Sequence, residues 1–163
     1  MSLTSFFDYG AAGGDADAEP ALVFLGQAST EDWRQLLSVA EQRRFSAGDM
    51  LILAGEQTRA FYIVAEGELE VLADFASGKP RRLTTIGRQS IFGEQAFFDG
   101  QARSASVRAL QAGQLYGISP DAFELLAGRQ PELARRVLFD LGRILSLRLR
   151  SMTGNVLGVV RKP

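Results

Sequence analysis

Apolar and polar residues change period twice along the chain. Ser29 or Thr30 followed by Glu31 and Asp32 makes an N-cap with acids in the first turn, and Trp33, Leu36, Leu37 and Ala40 follow at helical spacing. The pattern predicts a helix over Thr30–Ala40. Short β-type runs come next: Arg43–Phe45, Met50–Leu53, Phe61–Ala65, Leu69–Ala73, Arg81–Ile86, Ser104–Leu110 and Gln114–Ile118. Between them lie Gly48-Asp49, Gly55-Glu56, Glu66-Gly67, Ser77-Gly78-Lys79-Pro80, Gly87 and Gly113, each suited to a tight reversal. The helical period then returns. Ser119-Pro120-Asp121 starts one helix that Gly128 can end, and Gln130-Pro131-Glu132 opens a longer one.

Many short, closely spaced strands predict a mainly β fold, a β-barrel or jelly roll with an N-terminal helix and a long C-terminal helix. In that last helix Leu133, Val137 and Ile144 can face the barrel, while Leu138, Leu141, Leu145 and Met152 approximate a heptad seam. The stripe is wider than one barrel contact needs. It reads equally as a deeply buried helix or as a homodimer surface.

Ahead of the first helix, Tyr9 to Pro20 is small, glycine-rich and acidic, and buries too little apolar area to offset its ordering entropy. Residues 1–28 therefore read as a flexible N-terminal segment, in which the bulky Leu3, Phe6 and Phe7 read either as a short docking helix, the favoured reading, or as a sticky end with no role. Residues 29–152 form the predicted domain and 153–163 a tail.

At 163 residues the chain suits one domain with a sizeable core. A net charge of −1 argues against general polyanion binding. With no cysteine and no histidine, disulfides, thiolate or imidazole zinc sites and histidine-activated nucleophiles are excluded. No paired-carboxylate or Ser-x-x-Lys constellation stands out, so the chain reads as a non-enzyme with no cofactor. No apolar run approaches the ~20 residues of a membrane span, and no secretion signal opens the sequence, so the expected location is cytoplasmic.

Candidate chemistry concentrates in Phe92-Gly93-Glu94-Gln95-Ala96-Phe97-Phe98-Asp99-Gly100-Gln101-Ala102-Arg103-Ser104-Ala105-Ser106-Val107. A glycine lets backbone amides approach a ligand closely, a carboxylate supplies a hydroxyl acceptor, and a guanidinium supplies a planar fork for phosphate oxygens. Glu94 and Arg103 are the central pair of what reads as a cradle for one cyclic phosphate.

The segment resembles the phosphate-binding cassette of the cyclic nucleotide-binding domain family, of pattern FGE-x-A followed by R-[SAT]-A-x-V. Gly87 stands five residues before Phe92, as in the family's G-x-x-x-x-F-G-E. The Glu94-to-Arg103 spacing is similar to that of the regulatory subunits of cyclic-AMP-dependent protein kinase; the bacterial catabolite activator protein carries one more residue in the turn. Phe45 to Leu51 and Phe61 to Val71 resemble the family's first hairpin and its strand-Gly-strand signature. The resemblance covers about Thr30 to Met152.

It implies that Arg103 pairs with the phosphate, that amides around Ala96 and Ala105 complete the anion nest, and that Glu94 and the Gly93 amide take the ribose 2′-hydroxyl. Gln95 and Ser104 lie in the same cassette. A hydroxyl after the arginine goes with cyclic GMP in the kinase relatives and with cyclic AMP in the bacterial activator, and the lone cassette favours cyclic AMP. Aligning Pro131 with the start of the activator's long helix places Arg148 and Leu149 where that protein has the Thr-Ser pair that reads adenine, so that base contact is either absent or replaced by Arg148 stacking over the purine. Thr153 to Pro163 are too few for the activator's helix-turn-helix, so no DNA-binding domain is expected, and the lack of a long apolar run leaves no membrane contact expected.

Three functions compete. The first is a stand-alone cyclic-nucleotide sensor acting through its C-terminal helix on an unknown effector protein or a homodimer. The second is a degenerate barrel of the same fold kept as an interaction scaffold. The third is a cupin-like enzyme, disfavoured because cupins hold metal with histidines.

Overall fold

The computed structural model describes residues 22–74 and 78–160, with no side-chain description for Asp74 or residues 155–160. The docking reading of Leu3, Phe6 and Phe7 and the acidic Tyr9 to Pro20 stretch lie outside the described residues. The elements run α1 (Thr30–Leu37), β1 (Glu41–Phe45), β2 (Met50–Ile52), β3 (Phe61–Glu66), β4 (Leu69–Asp74), β5 (Pro80–Ile86), β6 (Ile91–Phe92), α2 (Glu94–Asp99), β7 (Ser106–Ala109), β8 (Gly113–Ile118), α3 (Pro120–Arg129) and α4 (Pro131–Val160). The strands form two antiparallel four-stranded sheets, β1-β8-β3-β6 and β2-β7-β4-β5.

β3 shows why this sequence makes two layers of core. Side chains alternate across a strand, so Phe61 and Ile63 face one way and Tyr62 and Val64 the other. Phe61 and Ile63 join the helices in one apolar cluster, with Trp33, Leu126, Leu133, Val137, Leu141 and Ile144. Val64 joins Leu51, Ile52, Leu69, Val107 and Leu115 in a second cluster drawn from both sheets. β3 is thus buried on both faces, and its uninterrupted apolar run follows from that. Where β3 ends, Gly113 of β8 runs so close that a Cβ there would stand 2.1 Å from the Glu66 carbonyl oxygen, so only glycine fits.

α1 starts as expected, with a reciprocal capping box between Ser29 and Asp32. It stops at Leu37 rather than Ala40, because the amides of Val39 and Ala40 bond three residues back and tighten the chain into a turn. α3 runs past Gly128 to Arg129 and is closed by Gln130. α4 continues to Val160 instead of ending at Met152. On the outer side of the second sheet, the buried Glu70 carboxylate accepts from Arg82 Nε and Arg108 Nε, each at 2.7 Å.

Two sequence expectations change. Residues 22–28 are not part of a loose leader: Phe24 is fully buried against Trp33 and Phe61, and its amide donates to the Gln89 carbonyl at 3.1 Å. α4 holds this stretch directly, since the Leu25 amide donates to Asp140 Oδ2 at 2.6 Å and Arg143 Nη2 donates to the Val23 carbonyl at 2.9 Å. Leu141 is not on a seam but in the core, fully buried beside Val137 and Ile144.

Burial decides where α4 lies, and ion pairs refine it. Leu133, Val137, Leu141 and Ile144 are at most 4 % exposed, and each such side chain contributes about 1.5–3 kcal/mol on burial. The Arg136–Asp32 and Arg143–Asp140 pairs are partly solvated, and such pairs contribute about 0–1 kcal/mol each.

Asp32 links α1 to α4, and its hydrogen bond from Arg136 lowers its pKa from 3.8 to about 2, with Ser29 adding to the effect. A depressed carboxylate pKa contributes stability that is present above the unfolded value and lost as pH falls through the folded one. Stability should therefore decline between about pH 4 and about pH 2. Asp32→Asn, which keeps a capping side chain, should flatten that decline in urea unfolding curves taken across the interval. An unchanged acid limb would show that the pair contributes nothing to folding.

Candidate functional site

The cassette opens where β6 gives way to α2. Gly93 caps α2 in the left-handed region, φ 79°, and a second left-handed glycine, Gly100, closes this six-residue helix. At Gly93 the conformation and the space both demand glycine. A Cβ there would lie 2.8 Å from Arg103 Nη1 and 2.9 Å from the Ala60 carbonyl oxygen. Glu94 follows in the first turn of α2 and is only 4 % exposed.

Arg103 reaches the same place from the segment entering β7, and is 5 % exposed. Its Nη1 donates to the Gly93 carbonyl at 2.8 Å, its Nη2 to the Ala60 carbonyl at 2.8 Å and its Nε to Thr58 Oγ1 at 3.0 Å. The guanidinium also lies 5.8 Å from the centre of the Tyr62 ring, which stacks on Phe92. Burial pushes its pKa down from the ordinary arginine value, with Tyr62, Glu56 and Glu94 acting in the opposite direction. None of the ion pairs among the described residues includes Arg103. A buried guanidinium held only on neutral acceptors is a positive centre suited to an anion.

Glu94 is met from a third direction. Arg148 of α4 donates from Nη1 to Glu94 Oε1 at 2.5 Å and from Nη2 to the Ile91 carbonyl at 2.7 Å. The structure thus brings Gly93, Glu94 and Arg103 together and adds Arg148 through Glu94. Arg148 is thus bonded to the cassette itself. Ser104 and Gln95 form their own pair at the exposed rim, Ser104 Oγ donating to Gln95 Oε1 at 2.6 Å. Ala96 is buried within α2 and Ala105 is half-buried ahead of β7.

Several contributors had no signal in the sequence. Thr58 and Ala60 sit in a loop with no recognisable motif, and Ala60 acts through a carbonyl that any residue would supply. Arg59 caps the far end of α2, its Nη2 donating to the Phe97 carbonyl at 3.0 Å. Among the described residues there is no cluster of potential metal ligands and no helix long and apolar enough to cross a membrane.

The profile of the cyclic nucleotide-binding domain matches residues 42–130, more than half of the chain and the whole of the cassette. The cyclic AMP receptor protein of Thermus thermophilus is 29% identical over 114 residues, covering 70% of this chain and 51% of that protein. The cAMP-dependent protein kinase regulatory subunit of Emericella nidulans is 33% identical over 97 residues, covering 60% of this chain and 23% of that protein. The crystal structure of the Thermus thermophilus catabolite activator protein superposes with a TM-score of 0.74 at 27% identity, over 85% of this chain and 62% of that one. A cyclic nucleotide-binding domain from Methylobacillus flagellatus gives a TM-score of 0.76 at 26% identity, over 86% of this chain and 79% of that one. The chain spans about half the length of the Thermus receptor and about a quarter of the kinase subunit. It belongs to the cyclic nucleotide-binding domain family.

The two left-handed glycines of α2 separate conformational strain from steric exclusion. A side chain in that region costs about 1–2 kcal/mol. Gly100→Ala should show that cost alone, because only Arg59 side-chain atoms approach its Cβ position, the nearest at 3.6 Å. Gly93→Ala should cost more, since it must also displace Arg103 or the backbone at Ala60. Urea unfolding of the two variants checks this, and equal losses would contradict the close packing of Gly93 on Arg103.

Proposed function

We propose that this chain is a cyclic-nucleotide sensor, preferring cyclic AMP to cyclic GMP, and that α4 reports whether its cassette is filled. The observation that carries the reading is the convergence of Gly93, Glu94 and Arg103, with α4 bonded to that group through Arg148. A cyclic nucleotide presents one phosphate charge and a 2′-hydroxyl about one ribose width away. Arg103 takes the phosphate with the donors it has not given to protein acceptors, while Glu94 accepts the 2′-hydroxyl. The anion supplies the counter-charge that the buried guanidinium lacks.

Two observations support cyclic AMP. The Thermus and Emericella relatives are both named for it, although a Drosophila melanogaster cGMP-dependent protein kinase is 28% identical over 123 residues. The Ser104 hydroxyl, which a guanine would have to recruit, is already donated to Gln95.

Transmission follows from Glu94 serving two partners. A hydroxyl arriving on Glu94 changes the carboxylate that anchors Arg148, so the ligand favours one placement of α4 over another, and that difference is the coupling. The exposed side of α4 supplies an output. Leu138, Leu149 and Met152 are 39 %, 65 % and 63 % exposed, and with Gly142 and the half-buried Leu145 they recur at alternating spacings of about three and four residues, the spacing of a two-helix seam. A second copy of the chain fits this seam; an effector protein with a matching helix is the other outcome. The role is regulatory rather than catalytic.

Isothermal titration with cyclic AMP, cyclic GMP and 2′-deoxy cyclic AMP tests the site. Arg103→Lys loses the bidentate fork and should weaken cyclic AMP at least about tenfold. Glu94→Gln should weaken cyclic AMP more than its 2′-deoxy analogue. A parent protein that binds none of the three would instead be a scaffold of the same fold.

Sedimentation tests the seam. Leu149→Asp should shift a dimer to monomer without loss of ligand binding, whereas Leu141→Asp places a charge in the core and should unfold the domain. A parent that is monomeric with and without saturating cyclic AMP overturns the homodimer.

A further inference from the structure

We infer that Thr58 is a positioning residue for the anion site, its hydroxyl fixing Arg103 Nε so that the guanidinium meets a phosphate end-on, through its two terminal nitrogens. The inference rests on the cyclic-nucleotide reading of the cassette. A guanidinium has five N–H donors. One on Nε is given to Thr58 Oγ1, one on Nη1 to Gly93 and one on Nη2 to Ala60. None remains on Nε, so the side-on fork formed by Nε with its neighbour is closed; the donors left are on the terminal nitrogens, near which the Tyr62 hydroxyl also stands.

Thr58 is the one side chain among these three acceptors, and its place is set by a short network. The Gly55 amide donates to the Arg103 carbonyl and the Arg103 amide to the Glu56 carbonyl, both at 2.9 Å. The Ala54 amide donates to Ser106 Oγ and the Leu53 amide to Glu56 Oε2, again at 2.9 Å. Gly55 turns the loop with φ 87°. The loop carrying Thr58 is thereby tied to the amide and carbonyl of Arg103 itself and to Ser106 beyond it, while the Leu53–Glu56 bond holds the loop's own turn. Because a hydroxyl brings no charge, it orients Arg103 without neutralising it.

Thr58→Val removes the hydroxyl and keeps the shape, and Thr58→Ser restores the hydroxyl without the methyl group. Titration with cyclic AMP should show Thr58→Val weakened about tenfold, the effect of losing one hydrogen bond to a charged group, and Thr58→Ser within about threefold of the parent. In the free protein, the Arg103 Nε–H signal in nitrogen–proton spectra, assigned by its disappearance in Arg103→Lys, should exchange slowly in the parent and in Thr58→Ser and rapidly in Thr58→Val. Equal or tighter binding by Thr58→Val overturns the inference, and so does a serine variant as weak as the valine one. If the parent binds no cyclic nucleotide, the functional reading fails, and the exchange of the Nε–H still decides whether Thr58 holds Arg103.

Discussion

The bond from Arg103 to the Gly93 carbonyl is the constraint on which the site depends. It requires a left-handed residue with no Cβ at the mouth of α2, because the guanidinium occupies the volume a Cβ would need. It also requires that the segments before α2 and before β7 lie side by side, which the sheets arrange through β3–β6 and β2–β7 pairing. With these met, a full positive charge sits in a nearly enclosed place without a carboxylate partner. Burying a charge in that way is costly unless something answers it, and the protein answers with carbonyl and hydroxyl dipoles.

Position along the chain explains what could be read in advance. Gly93, Glu94 and Arg103 lie close in sequence, and their roles depend on residue type, so the cassette was legible. The strands were legible too, because glycine punctuates them and β3 is apolar on both faces. β6 was not, being a two-residue pairing that leaves no period. Strand ends moved by a residue or two where bulges and turns, rather than side-chain pattern, decide pairing.

The contacts that escaped were long-range or made by the main chain. The Arg148–Glu94 pair joins residues 54 apart, and nothing local to either end announces the other. Leu141 illustrates a different limit: a helix with apolar residues on more than half its circumference does not reveal which arc meets the core. The structure resolves this by turning Leu141 inward with Val137 and Ile144, leaving Gly142 and Leu149 on the outer arc. Phe24 escaped because a glycine-rich, acidic stretch precedes it, and composition averaged over that window hides a single anchoring aromatic.

The ties between α4 and the chain's entry into the domain carry a mechanical consequence. Asp140 and Arg143 grip the backbone at Leu25 and Val23 within one turn of the helix, and the Phe24 amide between those residues is fastened to Gln89 ahead of β6. Sliding α4 along its axis by a full turn would therefore tear both grips from the strap. Residues 23–25 thus act as a clamp that fixes the axial register of α4 against the sheets, so the position of Arg148 beside Glu94 is set in part by residues that lie more than sixty positions earlier in the chain.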